Sequence, residues 1–159
     1  MNNTKITIVF LLSLSILILS GCKKYEEGPW LSLKTKKARI TGEWELDYSF
    51  HKNNGVIIGE YDKSTNPSVG RIIKFEEDGV YTITITKPSE VGIHISRWAF
   101  IDGKGGKEYL RLEWRTYKII RLTNKELIYT DYYSAVTSGN VSNPQTVIIE
   151  DRFEFSKID

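Results

Sequence analysis

The sequence predicts an all-β fold, an up-and-down antiparallel β-barrel of about eight strands with a short plug segment ahead of the first. Three observations predict it. From Thr41 onward apolar and polar residues alternate with the period of a half-buried strand, and no sustained 3.6-residue period interrupts them. Eight such segments succeed one another, and most are separated by short polar runs of the kind that form tight turns. The connections therefore read as sequential hairpins, and closing a sheet of hairpins into a barrel removes its two edges. A two-sheet sandwich is the alternative, but sandwiches usually need Greek-key crossovers.

Taken in order, the chain opens with one positive charge, Lys5, and then an uncharged run from Ile6 to Ser20 of aliphatic residues, Phe, Thr and Ser. A basic start followed by an apolar stretch of this length is the pattern of a signal peptide. The stretch is too short to cross the roughly 30 Å of hydrocarbon that requires about 20 residues. Leu19-Ser20-Gly21-Cys22 comes next, and it resembles the lipobox of bacterial lipoproteins, in which the cysteine is lipidated and becomes the first residue. Cys22 is the single cysteine of the chain, so it forms no disulfide within it and no thiolate metal site. The expected organisation is a signal peptide over 1–21, a lipidated tether and plug segment over 22–40, and one barrel domain over 41–159. The expected location is the cell envelope, at the outer membrane, held by the N-terminal lipid. Lys23 to Pro29 is charged enough to serve as a solvated spacer, and Trp30, Leu31 and Leu33 open a segment expected to close one barrel end.

The clearest strand is "TGEWELDYSF", which places Trp44, Leu46, Tyr48 and Phe50 on one face. "RIIKF" and "VYTITIT" flank Asp78-Gly79, whose glycine supplies the positive φ of a tight hairpin. "IHISRWAFI" and "YLRLEW" flank the glycine-rich 102–107, and "TYKIIRL" and "LIYTDYY" flank 123–126. "VIIEDRFEF" ends the series after a polar loop expected over Ser134 to Thr146.

Gly42-Glu43-Trp44 at the head of the first strand, and Thr130-Asp131-Tyr132, resemble the Gly-x-Trp and Thr-Asp-Tyr motifs of lipocalins. With the lipobox, "FEEDGVYT" and "LTNKELIYT", the layout is similar to the small lipocalin-like lipoproteins of bacterial envelopes across nearly all of the chain after Cys22. The resemblance implies a barrel able to hold an apolar ligand, with Gly42 and Trp44 as structural motif residues. It also implies an arginine packed over Trp44. Arg152 is the positional match, yet its parity sets it opposite Phe153 and Phe155, so a bulge shifts the register or the arginine has another task.

The charges, 22 Lys and Arg against 20 Asp and Glu, are balanced and interspersed, which argues against a nucleic-acid partner. Neither histidine, His51 or His94, sits in a metal-ligand spacing, and no serine lies in a Gly-x-Ser-x-Gly elbow, so neither a cofactor nor an enzyme activity is expected. The remaining candidates are polar residues on core parity. His94 shares a face with Trp98 and Phe100, Asp131 with Tyr129 and Tyr133, and Asp151 with Ile149 and Phe153. These point to a pocket at one barrel mouth, walled by Trp98, Phe100, Tyr129 and Tyr133 and oriented by His94 and Asp131. The expected function is binding of a small apolar or amphipathic molecule by a lipid-anchored barrel. The competing reading is a filled barrel that serves as an envelope interaction, inhibitor or structural module. Inward parity for many aromatics, Trp114 among them, favours a well-filled interior.

Overall fold

The alternation that starts at Gly42 becomes strand β1 (Gly42–Asn53) in the computed structural model, which describes residues 34–137 and 145–158. The segment expected to be a signal peptide, Cys22, the expected tether with Trp30, Leu31 and Leu33, residues 138–144 and Asp159 lie outside the described residues. The strands after β1 are β2 (Val56–Asp62), β3 (Gly70–Phe75), β4 (Val80–Lys87), β5 (Glu90–Asp102), β6 (Glu108–Leu112), β7 (Arg115–Leu122), β8 (Glu126–Thr137) and β9 (Gln145–Lys157). Every pairing is antiparallel. β3 to β9 pair in chain order, and β9 returns to β1, which closes an eight-stranded barrel.

β2 is the additional strand. It pairs with the second half of β1, Tyr48 to Asn53, while β3 pairs with the first half, Gly42 to Glu45. Since β9 occupies the other edge of β1, β2 and β3 share one edge end to end, with residues 63–69 as an excursion between them. Asp62 holds that excursion by accepting hydrogen bonds from the Ser64 N–H (2.8 Å) and hydroxyl (2.6 Å).

The plug is a short helix, α1 (Lys36–Ile40), N-capped by the Thr35 hydroxyl. It closes one end of the barrel. Ile40 and Trp44 are fully buried there, and the Trp44 indole N–H donates to the Ile40 carbonyl at 2.6 Å. The cation over Trp44 is Lys157, not Arg152. Its ammonium stands 5.0 Å from the ring centre and donates to the carbonyls of Arg39 (3.1 Å) and Thr41 (2.6 Å). Arg152 instead bonds Glu154 at 2.8 Å, on the other face of β9. Gly42 has φ +120°, and a Cβ there would lie 2.8 Å from the Lys157 side chain, so the glycine is what lets the lysine reach over the tryptophan.

One expectation about β1 is corrected. The pairing with β9 skips at Asp47, with Leu46 opposite Phe155 but Tyr48 opposite Glu154. The extra residue is a bulge, and beyond it the two faces exchange. Tyr48 and Phe50 turn outward, where Tyr48 donates to Glu60 (3.3 Å) and Lys52 lies 4.1 Å from the Phe50 ring centre. Ser49 and His51 turn inward. A second skip, at Ile120, lets Tyr117, Ile119 and Leu122 all face the core. The Ser134 to Thr146 loop is shorter than expected, because Ser134 to Thr137 continue the ladder against Ile148 to Gln145. Thr-Asp-Tyr accordingly lies within a strand.

Candidate functional site

At the end away from α1, the inner faces of β1, β9 and β8 place His51, Asp151 and Asp131 side by side, since His51 pairs across to Asp151 and Asp131 to Asp151. Two carboxylates directly opposite one another repel. Their side chains are only 15% (Asp131) and 12% (Asp151) exposed, so water screens them poorly. Arg115, the first residue of β7, resolves this. Its Nη2 lies 2.8 Å from Asp131 Oδ2 and 3.5 Å from Asp151 Oδ2. His51 Nδ1 hydrogen-bonds the other oxygen of Asp151, and the Thr130 hydroxyl donates to the Asp151 carbonyl at 2.8 Å. The guanidinium also lies 5.3 Å from the Tyr133 ring centre and 5.6 Å from that of Tyr117.

Below this rim is a cavity of about 160 Å³. Tyr81, Tyr117, Tyr129 and Phe153 wall it, and Arg71, Arg115, Glu113 and Trp114 edge it. Its floor is the packed core, where Tyr129 stacks on Phe155 with ring centres 5.5 Å apart. Burial pushes the Tyr129 hydroxyl well above the usual tyrosine range, and burial also raises Tyr117, against the pull of Arg115. Both therefore keep their protons near neutral pH. Glu113 sits in the two-residue turn between β6 and β7 with φ +58°, and its N–H donates to the Arg97 carbonyl at 2.9 Å. That turn carries Trp114. Parity alone assigns Trp114 to the interior, but its place at the turn leaves it 78% exposed beside the cavity.

The six residues expected to form one pocket fall into two groups. Tyr129, Asp131 and Tyr133 belong to this mouth. His94 stands on its rim, 3.6 Å from Glu113 and with its ring centre 6.0 Å from that of Tyr81. Trp98 and Phe100 are at the opposite end, because β5 runs toward α1 as β8 runs away from it. Trp98 donates to the Glu76 carbonyl at 3.0 Å and meets Phe75 and Phe100 edge to face. The two rings line a separate, more open depression of about 240 Å³ with Lys37, Glu77 and Asp78.

Three residues of the mouth are absent from the pocket that sequence parity assembles. Arg115 shares parity with Tyr117, and Arg71 with Ile73 and Phe75, so both carry a readable signal. His51 carries none, since the bulge at Asp47 decides its face. No group of three among the described His, Cys, Asp and Glu residues could hold a metal ion. No protein-family model matches the chain, and no curated protein matches it.

Proposed function

We propose that this chain is a lipid-anchored envelope protein whose lipocalin-like barrel binds a small amphipathic molecule at its open mouth. One observation carries the reading. Above an interior packed from α1 to Phe155, the described residues enclose an aromatic-walled cavity under a polar rim. Its size sets what it takes. Pockets for drug-sized ligands run to roughly 300–1,000 Å³, so 160 Å³ admits one ring or a short chain, with the rest of the ligand at the rim.

Trp114 makes the reading testable. A neutral, ring-sized quencher such as 4-nitrotoluene should reduce the intrinsic fluorescence saturably, with one site per chain. Trp114→Phe should remove most of that response, and Trp98→Phe should leave it. A linear, unsaturable response, or one carried by Trp98, defeats the proposal. The anchor has its own test. Cys22→Ser should release the protein from membranes or leave its signal peptide uncleaved, and a variant processed and membrane-bound like wild type defeats the lipobox reading.

A second reading, a protein-interaction module, is favoured by β5. Residues 90–97 pair with β4, whereas the pairing with β6 begins only at Trp98, so that edge has no described partner strand. Val91, Ile93 and Ile95 project outward from it, Ile93 being 68% exposed. An apolar strand with a free edge is a place where another chain can add a strand. If the quencher titration fails, this edge becomes the better account.

A further inference from the structure

The charges around the cavity are unequally committed. Arg115 is held by Asp131 and Asp151, Asp151 is also bonded by His51, and Glu113 faces His94. Arg71 stands apart. It lies on the inner face of β3 with Ile73 and Phe75, it lines the cavity, and its charge reaches Tyr129. Among the described residues it has no hydrogen-bond or ion-pair partner, and none of its nitrogens is sealed from solvent. A guanidinium offers five N–H donors in a planar fork matched to carboxylate and phosphate. A neutral ligand filling the cavity would strip water from that fork without replacing its hydrogen bonds, at a cost in affinity. An anionic ligand would replace them.

We propose that the mouth selects an amphipathic organic anion, whose carboxylate or phosphate ester engages Arg71 while a ring-sized apolar group rests on Tyr81, Tyr117 and Tyr129. The inference rests on the ligand-binding reading above and names the ligand class of the same site. Tyr117, still protonated near neutral pH, supplies a further donor facing the cavity. Arg115 is already neutralised by its two carboxylates, so the uncompensated charge at the cavity wall is that of Arg71.

The test uses the full-length protein in phosphatidylcholine nanodiscs, with phenylacetate, phenyl phosphate and neutral phenylacetamide as probes, each displacing 4-nitrotoluene from the Trp114 site. The two anions should bind at least tenfold more tightly than the amide, and added salt should narrow the gap. Which anion binds better tells a carboxylate source from a phosphate one. Arg71→Gln should weaken both anions at least tenfold without weakening the amide, which also reports an intact mouth. Arg71→Lys should keep the preference for anions in reduced form. Should Arg71→Gln lose the amide too, the lysine variant and the wild-type preference decide. Equal binding of all three probes to wild type, or undiminished anion binding by Arg71→Gln, overturns the anion inference while the cup reading survives. If none of the three probes displaces 4-nitrotoluene, the anion inference also falls. The cup reading then stands or falls on the direct quencher titration.

Discussion

Trp44→Ala should destabilise the protein by about 3–5 kcal/mol, the range for removing a large core aromatic. Trp44 is fully buried, stacked beneath Lys157, and tied through its indole to Ile40 of the plug helix. Its loss would leave a void at the closed end, free the Ile40 carbonyl and loosen α1 together. Phe50→Ala is the matched control. Both rings come from β1 at even positions, yet Phe50 lies outside the barrel beyond the bulge and should cost about 1 kcal/mol or less. Urea denaturation of the two variants measures the difference. Equal losses would mean that the faces of β1 do not exchange at Asp47.

Arg115→Met should cost about 2–4 kcal/mol, less than the roughly 3–5 kcal/mol of breaking a fully buried ion pair, because the guanidinium is only part-buried. Methionine keeps much of the stem's packing, so the loss reports the charge. The variant leaves Asp131 facing Asp151 with only His51 to compensate them. Adding Asp131→Asn to Arg115→Met should therefore recover part of the stability, because one of the two opposed charges disappears. Denaturation midpoints of the single and double variants check both statements. A stability for Arg115→Met within about 0.5 kcal/mol of wild type would show that the two carboxylates do not depend on the arginine.

The strands that sequence reveals are those whose apolar residues face inward. Trp44 and Leu46, and Ile73 and Phe75, alternate with more exposed charged neighbours such as Glu43 and Lys74, and Gly79, with φ +87°, marks a hairpin turn where the glycine says it should be. β2 is not legible in this way, because Val56, Ile57 and Ile58 form a consecutive apolar run that is exposed, so the pattern carries no inside and outside. The bulges are hidden for a different reason. One inserted residue leaves local propensity unchanged and alters only which face the residues after it take, a property of the pairing with β9 or β8. That is why sequence can place Asp131 and Tyr133 at the mouth but not His51. Trp98 and Phe100 group with them on parity alone, because inward parity says nothing about which end of a barrel a residue occupies.

Apart from one pairing, every ladder of the barrel joins strands that are neighbours in the chain or, for β1 and β3, separated only by β2; the exception is the return of β9 to β1, where Trp44 meets Lys157. Hairpins can form within microseconds from short loops, whereas this seam must bring together segments separated by most of the domain. The seam is thus the natural kinetic bottleneck of folding, and it gives the rate a strongly non-local character. It also orders events during synthesis. β1 leaves the ribosome first and waits with an unsatisfied edge until β9 arrives, so a nascent chain that stops short of residue 145 has hairpins but no barrel.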